Sequence, residues 1–451
     1  MDKALPAQLN EFVDEAKYHQ IVKDMLVKAK SLGATQTEVG INASVGLNVT
    51  VRKGEVDTLE FNRDKAIGLT VYINQRKGSA STTDLQPASL NATVEAAISL
   101  AKLTEEDPFA GLAELSEMAR ETKTLDLYHP WDLAVTDAIR LAKNCEQAAF
   151  AVDKRITNSE GATFSSTQGY RIYANSHGFL GFYPSSRHSL SCVVIAKDKS
   201  GMERDYQYSI SRKPNNLDPA EKIGKEAAER TLQRLGATKL PTQKAPVLFH
   251  ASITSGLLSN FVAAISGGRL FRKSTFLLDS LGKQIFPDFI KIDERPFLPG
   301  AIGSSTFDGD GVATREQAFV EEGRIKSYIL SAYSARKLKL ANTGNAGGVH
   351  NLFINTGNED YDGLIKKMDK GLIVMELMGQ GINLVTGDYS RGATGFWVEN
   401  GQIQYPVHEI TIAGNLRDMF QHLIAVGKDV DKRGNIQSGS LLIEEMTIAG
   451  S

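Results

Sequence analysis

Cysteine is scarce: the 451-residue chain holds two, Cys145 and Cys192. Two thiols cannot build a disulfide framework, nor an all-cysteine or paired C-x-x-C zinc site, which needs four thiolates. Charge of one sign is also lacking. Lysine plus arginine number 51 against 53 aspartate plus glutamate, a formal net charge of −2. A near-neutral chain has no global field to draw in nucleic acid or an anionic membrane, which argues against direct nucleic-acid contact and against a membrane partner. No stretch of the sequence approaches the ~18–20 uninterrupted apolar residues of a membrane span. The first twenty residues lack the basic-then-apolar order of a secretory signal. The expectation is a reduced cytoplasmic protein.

Several catalytic signatures are missing as well. There is no G-x-S-x-G elbow, and Ser-x-x-Lys at 99–102, 280–283 and 334–337 comes without the companion Ser-Asp-Asn and Lys-Thr-Gly motifs. The segment 267–275 begins like a phosphate loop, but Arg272 stands where the second glycine must be, and a helix rather than a strand precedes it. The eight histidines include no pair four or five residues apart with a glutamate beside the first, the spacing that places two zinc ligands on one helix face. Phe307-Asp308-Gly309-Asp310-Gly311 lacks the twelfth-position glutamate of a calcium loop, and a tight turn accounts for it.

What is there is periodic structure in a soluble composition, 41% apolar and 23% charged, long enough for two or three domains. A 3.6-residue apolar stripe predicts a helix over 9–29, ended by Gly33. Val39, Ile41, Ala43 and Val45, then Leu47, Val49 and Val51, predict a strand. Lys53-Gly54-Glu55 turns the chain into a return strand from Val56, and 67–73 reads as a third. Helices are expected from Pro87 through Ala101, over 136–152 with Thr136 as cap, and over 219–235. Short strands broken by Gly161, Gly169, Gly178 and Gly181 are expected over 156–195. Past a proline-bearing stretch come a strand at 247–249, a helix over about 254–265, and short strands with turns at Glu322-Gly323 and Asn400-Gly401. The fold class is α+β: an N-terminal α+β domain over 1–239 with antiparallel strands, a linker at 240–246, and a mainly antiparallel β domain over 247–451.

Longer motifs then carry a resemblance. Glu376-Leu377-Met378-Gly379-Gln380-Gly381, Thr386-Gly387-Asp388-Tyr389-Ser390-Arg391-Gly392, Gly395-Phe396-Trp397-Val398-Glu399-Asn400-Gly401 and Glu409 to Leu416 follow one another in the C-terminal half. Glu60-Phe61-Asn62, Arg76 to Ser81 and Asn175-Ser176-His177-Gly178 stand in the N-terminal half. Together these resemble the TldD/PmbA family, and within it the PmbA (TldE) branch, over essentially the whole chain.

The resemblance implies a partnership. The TldD branch is a zinc metallopeptidase with a His-Glu-x-x-x-His helix and a later cysteine ligand. It acts as a heterodimer with TldE on peptides and small or unfolded proteins, and PmbA-type proteins also carry the label modulator of DNA gyrase. Placed on that helix, His250 stands at the first histidine, Ala251 at the glutamate base and Ser255 at the second histidine, and no cysteine follows Cys192. Serine is a poor zinc ligand and a methyl group takes no proton from water. The expectation is therefore no metal and no catalytic residue in this chain, His250 being incidental, with zinc held by a TldD-like partner. The isolated chain is expected to be a homodimer joined mostly through its C-terminal half. Arg272, Lys273, Asp388, Tyr389, Ser390 and Arg391 are candidates for a peptide or partner face, since charge beside glycine turns often lines openings; ordinary solvated loops account for them equally. An autonomous hydrolase with an unrecognised site and a protein binding DNA gyrase remain the alternatives.

Overall fold

The computed structural model describes residues 15–120 and 123–450. Helix α1 (Glu15–Ser31) precedes three strands, β1 (Gln36–Arg52), β2 (Glu55–Ile73) and β3 (Arg76–Thr82), and helix α2 (Pro87–Leu103). Helix α3 (Val135–Phe150) leads to β4 (Ile156–Asn175), β5 (Leu180–Asp198), β6 (Gly201–Ser211) and helix α4 (Ala220–Gln233). The six strands form one antiparallel sheet in the order β3-β2-β1-β4-β5-β6.

The period-two alternation in β1 decides how this sheet is covered. Val39, Ile41 and Ala43 point to one face and pack with Tyr18, Val22 and Met25 of α1 and Val94 and Ile98 of α2. Further along the same face Leu47, Val49 and Val51 pack with Ala142, Cys145 and Ala149 of α3 and Ile223 and Ala227 of α4. Four helices thus cover one face, and the alternate residues Asn42, Ser44 and Asn48 leave the other polar. Close packing of α4 on α3 requires glycine at 224, where a Cβ would lie 1.9 Å from the Cys145 carbonyl oxygen.

The C-terminal half begins with β7 (Gln243–Phe249), helix α5 (Ala251–Ala264) and the short α6 (Gly267–Phe271). It continues through β8 (Ile292–Glu294), β9 (Gln317–Glu321), β10 (Arg324–Ile325), α7 (Ala332–Leu338), β11 (Leu352–Ile354) and α8 (Tyr361–Met368). Last come β12 (Gly371–Met378), β13 (Asp388–Glu399), β14 (Gln402–Asn415), α9 (Leu416–Gln421), β15 (Leu423–Val426), β16 (Ile436–Gln437) and β17 (Leu441–Ala449). Strands order as β10-β9-β8-β11-β16 and as β14-β13-β12-β7-β17-β15, and an added β14–β17 pairing joins five strands of the second sheet into a ring. All pairings are antiparallel except β7–β12 and β11–β16. Phe249, Leu258, Phe261, Phe286, Phe319 and Trp397 share its core. The chain is α+β with antiparallel sheets.

Several element expectations change. Residues 9–14 of the first helix lie outside the described residues. The return strand from Glu55 runs unbroken to Ile73, so 67–73 is no separate strand; the third strand is β3, reached through a turn at Asn74 and Gln75. The expected short strands over 156–195 are two long ones. Gly169 stays in register, Gly161 forms a bulge, and only Gly178 lies in the intervening turn. Helix α3 starts after Ala134, with no side-chain cap from Thr136. Helix α5 starts at Ala251 because His250 caps it. Of the expected linker, residues 243–246 lie in β7 and Leu240 is core. Pro246 is tolerated there because the β7–β17 register slips beside it, leaving it unpaired across that ladder. The three glycine turns form hairpins as read, with positive φ at Lys53–Gly54, Glu322–Gly323 and Asn400–Gly401, the pair that a tight two-residue turn requires.

Candidate functional site: the end of strand β7

Strand β7 delivers His250 to the start of α5. Its backbone amide donates to the Val374 carbonyl on the parallel strand β12 (3.1 Å), which fixes the ring at the sheet's end. The Nδ1 atom accepts the Ser252 amide (3.2 Å) and lies 2.8 Å from the Ser252 hydroxyl, so the imidazole serves as the N-cap of α5. Tyr361 meets the ring edge-on at 5.1 Å between centroids. Burial, with the positive charges of Arg230 and Arg433 adding, pushes the His250 pKa down to about 4. The imidazole is neutral at physiological pH, and its role is structural rather than incidental.

The surrounding groups are likewise engaged with one another. The Ala251 amide donates to the Ser440 hydroxyl (2.9 Å), which donates to Asp429 (2.6 Å). Asp431 is paired with Arg433 (2.6 Å), whose guanidinium also reaches Gln207 (2.9 Å) and lies 4.2 Å from the centre of the Tyr208 ring in the N-terminal half. Ala251 is buried, whereas Ser255, one turn on, is exposed. Cys145 and Cys192 are both in the core under β1, β4 and β5. Among the described residues no three of His, Cys, Asp and Glu converge as a metal site. One imidazole already committed to a helix cap, a methyl group and an exposed serine do not fit a catalytic zinc.

The other candidates separate by position. Arg272 and Lys273 are exposed at the end of α6. Asp388 to Arg391 open strand β13 rather than forming a loop, and Tyr389 is buried, its hydroxyl pushed up to about 12 by that burial. Asp388 and Asn415 face each other across β13 and β14, and the Leu416 amide donates to the Gly387 carbonyl (2.7 Å). Gly387 has φ +87°, and a Cβ there would stand 2.9 Å from the Asn415 side chain. Two of the long motifs are therefore one packed corner. The Phe276 amide bonds the Leu384 carbonyl (2.8 Å), which ties the segment after α6 to the approach to β13.

Sequence reading missed a buried acidic junction between the halves. Glu38 on β1 accepts the hydroxyls of Tyr173 (2.8 Å) and Tyr72 (3.3 Å), and burial, with the charge of Asp310 adding, raises its pKa. Asp308 accepts the amides of Asp310, Val312 and Ala346, yet burial and the neighbouring Asp310 push it up to about 7. Asp310 in turn accepts the Ala332 amide at the start of α7 (3.0 Å). The Asp-Gly-Asp segment is a turn, as read, but a buried one that cross-links distant elements. Of these groups Glu38, Tyr72 and Asp310 border a cavity of about 450 Å³, with Lys77, Asp107 and Tyr333. Burial was the missing signal, and composition does not carry it.

The comparisons with known proteins agree with this architecture. Profiles described as PmbA/TldA metallopeptidase domain 1, central domain and C-terminal domain match residues 37–101, 128–235 and 242–450. The chain is 50% identical to the Metalloprotease PmbA of Escherichia coli O157:H7, covering 94% of each chain. The chain belongs to the PmbA/TldD family. A Haemophilus influenzae homologue of PmbA is 46% identical over 97% of each chain, whereas a TldD homologue of Buchnera aphidicola is 22% identical over 87% of this chain and 88% of its own, which places the chain on the PmbA branch. Among solved structures, a Bacteroides thetaiotaomicron protein named as a modulator of DNA gyrase superposes with TM-score 0.92 at 28% identity, covering 97% of this chain and all of its own. TldE of Thermococcus kodakarensis superposes at 0.83 over 95% of this chain and all of its own; at 21% identity it speaks for the fold alone.

Proposed function

We propose that this PmbA-type chain is a non-catalytic subunit of a cytoplasmic peptidase, completed by a zinc-bearing TldD-like partner and acting on peptides and small unfolded proteins. The observation that carries this reading is the end of β7. The position where a metallopeptidase of this family needs its first zinc ligand holds a histidine spent on capping α5, followed by Ala251 and an exposed Ser255. The E. coli and H. influenzae relatives are named metalloproteases, and the chemistry in that name belongs, on this reading, to the assembly rather than to this chain. A paralogue of the same fold can replace one copy across a two-fold interface, so it supplies walls and contacts while its partner supplies the metal. The isolated chain then forms a homodimer, mostly through its C-terminal half, that the partner disrupts.

The test is elemental analysis together with a peptidase assay. The purified chain is expected to carry far less than one zinc per subunit and to cleave nothing alone, while mixing with a TldD-like protein raises that protein's activity. Stoichiometric zinc with activity in the chain alone, or a mixture no more active than the TldD-like protein, would reject the proposal.

A further inference from the structure

The polar face of the N-terminal sheet holds a groove of about 760 Å³ that no part of the β7 site uses. Strand register defines its floor. Ser44, Gly169 and Ser185 lie in one row across β1, β4 and β5. Two residues along to one side, Asn42, Arg171 and Tyr183 form the next row; to the other side, Gly46, Thr167 and Arg187 do. Two arginines therefore flank a floor that carries no long side chain, because glycine stands at its centre. A Cβ at Gly169 would collide with the Ala43 carbonyl at 2.2 Å, so this floor cannot be raised without moving β1.

A third guanidinium closes one side. Arg212 donates to the carbonyls of Ala301 (3.1 Å), Ile302 (2.6 Å) and Ser186 (3.2 Å), which holds it rigid between the two halves. Carbonyl dipoles satisfy its hydrogens without cancelling its charge. Burial and the like charge of Arg187 both oppose its protonated form. Among the described residues Arg171, Arg187 and Arg212 form no ion pair, and the one carboxylate in the groove, Asp64, sits exposed on β2 at the end of the central row. Three guanidiniums, one of them held by three carbonyls, together with Lys65 around a floor of hydroxyls and amides are an arrangement complementary to an anion, and guanidinium forks match the planar carboxylate.

We propose that this groove binds the carboxylates of an extended peptide, at its C-terminus or on acidic side chains. The inference rests on the reading that the assembly handles peptides and names which peptides this subunit selects. The backbone-width floor between Arg171 and Arg187 accommodates a chain lying across the strands, while the flanking arginines read charge and the serines and threonine supply neutral donors.

Fluorescence anisotropy on the full chain without a partner tests it. Four labelled peptides of one length are compared: neutral with a C-terminal amide, neutral with a free carboxylate, and each with two internal glutamates. Acidic or free-carboxylate peptides are expected to bind at least ~10-fold tighter than the neutral amide, and which arm gains more assigns the source of the carboxylate. Arg171→Gln and Arg187→Gln should each remove most of that gain, with Arg171→Lys and Arg187→Lys restoring part of it, at unchanged circular dichroism. Equal binding of all four peptides, an unchanged preference in both glutamine variants, or displacement by inorganic phosphate far more readily than by acetate would overturn it. Failure of a TldD-like mixture to gain activity would reject the proposed function and leave this measurement standing.

Discussion

Replacing His250 separates a cap from a ligand. His250→Ala removes the acceptor for the Ser252 amide, a loss of ~0.5–2 kcal/mol for an N-cap, and the edge-on contact with Tyr361, ~0.5–1.5 kcal/mol. The expected cost at pH 7.5 is about 1–3 kcal/mol, read as a fall in the urea midpoint. His250→Asn keeps a side-chain acceptor at the cap and should lose only the ring contact, about 1 kcal/mol. The pH dependence then decides. The pKa of His250 falls from 6.5 to about 4 on folding, so the unfolded chain binds the proton more tightly. That stability is fully present above pH 6.5 and is lost as pH falls through 4; it amounts to roughly 3 kcal/mol. The asparagine variant has no such loss, so its stability relative to wild type should rise on acidification, overtake it near pH ~6 and lead it by roughly 2 kcal/mol at pH 4. A gap between the two that does not move with pH, an asparagine variant as unstable as the alanine one, or zinc lost from His250→Ala in step with activity would refute the argument.

Three further outcomes follow from the packing. Asp308 has the opposite sign: its pKa is raised to about 7, so its contribution is present below pH 4 and lost as pH rises through 7. Asp308→Asn should flatten that slope while losing the Ala346 contact, measured as urea midpoints between pH 4 and 8. Arg336 donates to the carbonyls of Phe109, Gly111 and Leu112, holding the segment after α2 on α7. Arg336→Ala should cost roughly 2–4 kcal/mol, since a charged donor serving three carbonyls is lost, and hydrogen exchange should quicken first around residues 109–112. Gly224→Ala forces a methyl into the Cys145 carbonyl and should destabilise by about 1–3 kcal/mol or more, seen as a lower melting temperature and a shifted α3–α4 packing.

How much of this was legible depended on whether a feature is local. The apolar stripe of α2 from Pro87, the alternation of β1 and the three glycine hairpins are set by neighbours within a few residues, and the sequence shows them. Glycine misled where its cause was distant. Gly169 reads as a strand break, but it faces the Ala43 carbonyl across the ladder, and its lack of a side chain permits a close approach rather than a turn. Pro246 reads as a linker, yet a slipped register in β17 makes room for it inside β7. The turn at Asn74–Gln75 has positive φ at both residues and no glycine, so no turn signal announced it. At the candidate site the substitutions at 251 and 255 were readable against the family pattern, whereas the capping role of His250 needed the position of α5. Glu38, Asp308 and Asp310 were unreadable as a group because their separation in the chain hides a shared burial.

The division between shape and chemistry in this fold is sharp. Corner geometry at Gly387 and Asn415, the bulge at Gly395 against Ile373, and the Asn400–Gly401 hairpin account for the long C-terminal motifs as backbone requirements. Those requirements are set by the backbone, and the chain shares half its residues with a protein named a metalloprotease while its own β7–α5 junction supplies one imidazole committed to a cap. The TldD-branch pattern sets two ligands and a base on one helix and a cysteine later in the chain; here the helix at that position begins at a cap supplied by His250. On the proposed function, what such a chain contributes is the surface it presents to a peptide and to a partner. On the two proposals made above, the guanidiniums of the sheet groove, with Arg212 held by three carbonyls, are where a substitution should change peptide binding, and the β7–α5 junction is where it should change only stability.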